Sequence, residues 1–441
     1  MCAPAARWPG TTAASLGGLV FVLVWLSVFA LFLVPGSLLY QFGWNYQMAG
    51  GNALEKLHPS TIFLFIAFGL HALQSASSVM IKGAFSKKLF WYLVVVFLCA
   101  VYSAVILKKP IAVFFDTWLA PGLYLMLWHQ ASKAQGNALA KLVFLAMIVN
   151  CALGLAEFFG GFRLVPMALL DINSLGALLD VSEWSEWRST ALLNHPLNAS
   201  LVCAIFFLIN LGLILFERSS PGRILAAGLS FASMAVFGGR AAIGFSVLIV
   251  VLMLIRCAFG YSRSEAERAR GQWAFWLLMS LPLLMIFVWS SGLIDPLLAR
   301  VADDNGSASA RLMVFEIFGD TSFSELLFGD IHGALLARVF SFGALYGVEI
   351  SWLNMILNYG FVCVVLIMGF LISVLRELSR MPQRFNPWLV IALFFLVGTT
   401  AVYFSSKTTL VSQLIVMLSV FVIRKDANDA VGFSKRMEMR P

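Results

Sequence analysis

Arg240 follows Gly238 and Gly239 in the run FGGRAAIGF, in the middle of a long apolar stretch. A cation at membrane depth costs about 2.5 kcal/mol or more on insertion scales. This guanidinium must therefore face a polar cavity or a partner, or snorkel to lipid headgroups. Arg188 precedes NHPLNAS (194–200), where Pro196 suits the first turn of an entering helix. Arg311 lies in the polar run DDNGSASARLMVFEIFGD (303–320). Arg188 and Arg311 are open to two uses, an ordinary loop ion pair or a place in an anion site.

Candidates for proton transfer are few. Glu349 opens GVEISWLNMILNYGF (347–361), where the helix dipole favours a carboxylate in the first turn. At the mouth of a helix bundle the same group can act as general base or acid towards an incoming hydroxyl. His332, in GDIHGAL, suits that role too. His195 lies about two helical turns after Arg188, so the two share a face only where helix already runs. Lys108 and Lys109 sit between two apolar runs, where they either anchor a turn among headgroups or attract a lipid-linked phosphate.

The elements that must position these residues are apolar helices. Of 441 residues, 61% are hydrophobic and 12% charged, against about 25% charged in a soluble domain. Mean hydropathy is +0.90. Runs of about 18 or more apolar residues read as transmembrane helices, and the short alternating segments of a β-barrel are lacking. The spans expected are 17–39, 60–81, 89–107, 111–129, 141–160, 197–216, 222–238, 240–258, 273–293, 350–376, 387–404 and 407–424. One helix over 222–258 would run about 55 Å, nearly twice the ~30 Å hydrocarbon core, so the chain divides at Gly238-Gly239. The fold class is thus all-α, a single polytopic membrane domain over 1–441 with about twelve crossings.

Both termini then fall on one side, and charge says which. Segments on that side hold most of the 30 Lys and Arg, among them Lys87, Lys88, Lys133, Arg218, Arg223, Arg263, Arg268, Arg376, Arg380 and Arg384. The positive-inside rule places them in the cytoplasm. The net charge of +8 is mostly this bias, and no nucleic-acid partner is implied. Two sizeable loops remain on the outer face, 161–196 and 294–349, the second between helices nine and ten. Apolar residues at helical spacing, such as Leu326, Ile331, Leu335, Leu336 and Val339, predict short helices over the bundle. Five of the six cysteines fall in or at the ends of apolar runs, with Cys2 at the terminus, so no disulfide framework or metal cluster is implied. The aromatic residues are mostly lipid-facing and interfacial.

The order of motifs resembles a known family. RSTALLNHPLNAS is followed by FGGRAAIGF, then by SARLMVFEIFGD and ELLFGD in the large loop, then by EISWLNMILNYGF. Over roughly residues 150–380 this is similar to the O-antigen ligase and polymerase superfamily of bacterial inner-membrane glycosyltransferases. The resemblance implies a lipid-linked C-type glycosyltransferase, needing no metal or cofactor, whose donor is an undecaprenyl-diphosphate-linked glycan at the periplasmic face. Arg188, Arg240 and Arg311 match the arginines that bind the diphosphate, with His195, Lys108 and Lys109 beside them. A residue near the start of the later helix assists the acceptor hydroxyl, which here means Glu349 or His332. Ligases of the family place a histidine where Glu349 stands, and that difference favours a polymerase. A flippase and a chain-length regulator are the partners such a polymerase implies, together with membrane lipid. The same-class alternative is a ligase acting on lipid A–core or another acceptor. A solute transporter or flippase would instead place charged residues at the bilayer midplane, whereas the candidates here crowd one face.

Overall fold

Helix breakers in the sequence mark where the elements end. The computed structural model describes residues 16–46, 52–74, 84–165, 168–170, 178–180, 188–217, 219–259, 269–280, 307–342, 348, 350–400 and 407–423. The first helix, α1 (Gly18–Leu33), stops before Pro35, and a short α2 (Gly36–Gln41) follows. Then come α3 (Pro59–Gln74) and α4 (Ala84–Val105). Next is α5, formed by Ala112–Phe114 and Ala120–Gln130 around a π-helical turn at Phe115–Leu119. The long α6 (Lys133–Gly160) is fixed at both ends: Ser132 and Gln135 form a capping box, and Gly161 takes the left-handed C-cap with φ 64°.

A small antiparallel hairpin follows, β1 (Ala168–Leu170) with β2 (Leu178–Asp180). It is the one departure from the all-α expectation among the described residues. Pro196 and Pro221 occupy the first turns of α7 (Pro196–Phe216) and α8 (Pro221–Val236), where a missing N–H costs nothing. The chain breaks at Gly238, with φ 72°, before α9 (Arg240–Phe259). Helix α10 covers 269–280. Three short helices, α11 (Ser307–Gly319), α12 (Phe323–Phe328) and α13 (Leu335–Ser341), form a cap. The expected span 350–376 is two helices, α14 (Ser351–Tyr359) and α15 (Phe361–Leu378), broken at Gly360 with φ 84°. Last are α16 (Trp388–Gly398) and α17 (Leu410–Met417), the latter running into a π turn at Leu418–Val422.

Five described helices are long and apolar enough to cross a bilayer: Lys87–Val105, Lys133–Gly160, Pro196–Phe216, Arg240–Phe259 and Phe361–Leu378. Shorter apolar helices accompany them at Gly18–Leu33, Pro59–Gln74, Pro221–Phe237, Trp388–Gly398 and Leu410–Val422. This is the composition of a helical membrane protein. Burial separates α7 from the rest. Its apolar window is 78% buried, against 28–39% for the other four, so α7 is enclosed while they present apolar faces outward. It packs on α6, α8, α9, α16 and α17.

Polar contacts sort to two ends of the bundle. At the cap end, Ser37 N donates to Asn194, Lys109 pairs with Asp330, and Lys407 pairs with Asp116. At the far end, Lys88 pairs with Glu377, Arg384 with Glu217, and Gln135 donates to the Leu16 carbonyl. Helices α1, α4 and α6 therefore run towards the cap, and α7, α15 and α17 run back.

Candidate functional site

The segment RSTALLNHP (188–196) leads into the N-terminus of the central helix, and α6 holds it residue by residue. Glu157, fully buried near the end of α6, accepts from the backbone N–H of Thr190 at 3.0 Å, of Ala191 at 2.9 Å and of Leu164 at 3.0 Å. Asn150, about two turns earlier on the same face of α6, accepts from Leu192 N at 3.0 Å and donates to the carbonyls of Phe32 and Ala146. Ser189 donates its hydroxyl to the Gly154 carbonyl at 2.7 Å, and its N–H reaches Val236 O. Arg163 donates twice to the Arg188 carbonyl, at 2.9 and 3.2 Å. A carboxylate in a dry site is costly unless several donors surround it, and here the backbone of the loop supplies them.

That clamp sustains unusual backbone. Ala191 has φ 47° and Asn194 φ 68°, both left-handed and neither a glycine. Such residues persist where the surroundings over-determine them, and they cluster at functional sites. His195 caps α7, its Nδ1 accepting from Leu197 N at 3.3 Å, which leaves the ring proton on Nε2. Burial, and then the nearby Arg188 guanidinium, push its pKa down to about 4, so the ring is neutral near pH 7.

The Arg188 side chain lies against the helix break between α8 and α9. A Cβ on Gly238 would stand 3.1 Å from Arg188 Cδ and 3.2 Å from Nε, and a Cβ on Gly239 would run into Ser200 of α7. The two glycines thus admit α7 on one side and the arginine stem on the other. Arg240 begins α9 immediately after them and is partly buried. Arg188 and His195, from one loop, thus stand at the cap end of α7 together with the glycine break that precedes Arg240.

Beside this group a narrow crevice opens, lined by polar residues His58, Asn194, Asn198, Thr408, Thr409 and Gln413 and by Leu31, Val34, Leu192, Leu193 and Leu410. Its far wall rests on a second buried network. Asp116, on the π turn of α5 and fully buried, accepts from Tyr46 Oη at 3.0 Å and from His58 N at 3.1 Å. Lys407 Nζ stands 3.7 Å from the carboxylate and 3.5 Å from the Tyr46 ring centroid, and it also donates to the Tyr46 and Lys56 carbonyls. Burial pulls Lys407 down to about 8, with Asp116 resisting. Single π turns of this kind recur at functional sites.

The remaining candidates belong to the cap. Lys109 donates to Asn358 Oδ1 at 2.6 Å, pairs with Asp330 at 3.6 Å and faces the Tyr359 ring at 5.7 Å. Burial holds it below an ordinary lysine, against the pull of Asp330. Its contacts tie α4 to the cap. Lys108 is exposed, with φ 56°. His332 is exposed on the turn between α12 and α13. Arg311 lies on α11, where the backbone alone is described, and Glu349 lies outside the described residues. Arg338 organises the cap's interior, reaching Asp320 at 3.3 Å, Glu325 at 3.2 Å and Thr321 at 3.2 Å.

Sequence reasoning passed over Glu157, Asn150, Asp116 and Lys407. The available signal was a charged or amide group inside an apolar run, which at membrane depth must have a partner. Among the described residues no cluster of three or more His, Cys, Asp or Glu is placed to hold a metal ion. No family model, no curated protein and no solved structure matches this chain.

Proposed function

We propose that the chain is a glycosyltransferase that polymerises undecaprenyl-diphosphate-linked oligosaccharide repeats. The observation that carries this reading is the meeting of Arg188 with the Gly238-Gly239-Arg240 break at the cap end of the enclosed helix. Guanidinium groups bind a diphosphate through paired, charge-assisted hydrogen bonds and stabilise the negative charge that grows as it leaves. Neutral His195 adds an Nε2 donor without adding repulsion between cations.

In the reaction, a sugar hydroxyl of one lipid-linked repeat attacks the anomeric carbon of a second glycan. The bond from that carbon to the diphosphate oxygen breaks, and undecaprenyl diphosphate leaves with the electron pair. Glu349 or His332 accepts the hydroxyl proton. Direct displacement inverts the anomeric configuration. The chain crosses the membrane about twelve times, with the cap in the periplasm and both termini in the cytoplasm. The separation of polar contacts into two ends supports that threading.

The test uses purified protein and the host's lipid-linked repeat. Arg188→Ala and Arg240→Ala are expected to lose at least about tenfold in kcat/KM each, equivalent to about 1.4 kcal/mol of transition-state stabilisation. Polymer formed equally well by both variants would remove the diphosphate-clamp reading. Free lipid-linked polymer as product identifies a polymerase, and glycan on a different acceptor identifies a ligase.

A further inference from the structure

The cap has an interior and an unpartnered exterior. Inside, Val314, Ile317, Leu335 and Val339 pack with Val348 and Leu357. Outside, Leu312, Phe315, Phe323, Phe328, Leu336 and Phe340 are exposed, Phe323 at 75% and Leu312 at 68%. Leu312 and Phe315 share a face of α11, and Leu336 and Phe340 share a face of α13, at helical spacing. So much large apolar surface on three short helices marks an interaction site.

The level of the cap in the bundle says what covers it. Tyr102, one turn from the end of α4, donates to the Phe328 carbonyl at 2.6 Å. Gly329 abuts Gly360, the residue before α15, so closely that a Cβ on either would run into the other's chain. The base of α12 therefore sits at the rim where α4 and α15 meet the cap. Below that rim both helices expose apolar side chains outward, Leu98 and Val101 on α4, Val365 and Leu366 on α15. On a membrane-spanning bundle this is the lipid-facing belt, and the exposed face of the cap continues it. Helices α11 and α13 are apolar on the inner face and on the outer one, and a helix apolar all round buries both faces, here one against protein and the other against lipid.

We propose that the cap is a membrane-seated element, its outer apolar face buried in the lipid leaflet on its own side of the bilayer. The partner is the acyl–headgroup boundary of that leaflet. The ion-pair hub at Arg338 then faces the protein side, and His332, on the polar turn, faces water.

The full chain in lipid nanodiscs tests this, and the outcome is independent of any glycosyltransferase activity. Nitroxide labels are placed singly at Phe315→Cys, Phe323→Cys and Phe340→Cys, with Cys2 and Cys257 replaced by Ser. Leu98→Cys serves as the lipid reference and His332→Cys as the aqueous one. Collision with oxygen, which partitions into lipid, is compared with collision with a water-soluble nickel chelate. The cap labels are expected to match Leu98→Cys, with high oxygen and low chelate accessibility. Chelate accessibility equal to that of His332→Cys overturns the proposal. Protection from both reagents also overturns it, because the face is then covered by protein.

Discussion

His195 links protonation to the architecture of the central helix. Its folded pKa, about 4, lies below the ordinary 6.5. Between those values the unfolded chain takes up a proton that the folded one refuses. The stability it contributes is complete above about pH 6.5 and is lost as pH falls through about 4. His195→Asn keeps a capping acceptor and removes the titration, so its melting temperature is expected to fall less between pH 7 and about 4.5 than the parent's. Superimposable pH profiles would refute the assignment. Glu157 offers a second measurement at this scale. Glu157→Ala strands the N–H groups of Leu164, Thr190 and Ala191, at about 1–3 kcal/mol for each donor left unpaired in the interior. A loss of at least about 3 kcal/mol in denaturant unfolding is expected, with Glu157→Gln intermediate because one oxygen still accepts.

Elements in this chain are joined by close backbone approach and by buried charge. At the base of the cap, Gly360 combines a left-handed φ with contact against the Leu327 carbonyl and Gly329 N. At the C-cap of α6, Gly161 also has a positive φ, and nothing stands within 4 Å of where a Cβ would lie. Gly161→Ala therefore meets only the backbone penalty of about 1–2 kcal/mol. Gly360→Ala meets a clash and a backbone, φ 84° and ψ 151°, that is nearly reserved for glycine, so amide exchange across Phe323–Phe328 is expected to accelerate in that variant alone. Equal exchange in both would show that the approach does not hold the cap. The Asp116–Lys407 pair binds α5 to the segment before α17. Removing one partner leaves a buried charge uncompensated, and Asp116→Ala is expected to lower stability by about 3–5 kcal/mol. The paired replacement of Asp116→Leu with Lys407→Met should cost less, as double-mutant unfolding curves can establish.

At the scale of the whole molecule, an enclosed helix is ringed by helices that face outward, with distinct polar groups at the two ends. His332 at the cap end and Arg380, exposed beside Glu377 at the far end, provide markers. Cysteines introduced at these positions are expected to react with a membrane-impermeant maleimide from opposite sides of a sealed vesicle. Labelling of both from one side would contradict the alternating course of the helices.

Hydropathy and helix breakers made the elements legible, because both act over a few residues. Pro196, Pro221 and Gly238-Gly239 end or begin helices where local backbone chemistry requires it. The break at Gly360 inside one apolar run was not legible, since nothing local distinguishes that glycine from Gly369, which continues its helix. The sequence by itself also marked Arg188, Arg240 and His195 as unusual. Only the tertiary structure brought them together, by packing α7 against the glycine break and by clamping the strained loop with Glu157, some thirty residues away. Local rules decide which stretches become helix because the backbone satisfies itself within a few residues. Which buried carboxylate meets which loop depends on desolvation shared between distant segments, and that is settled when the helices pack.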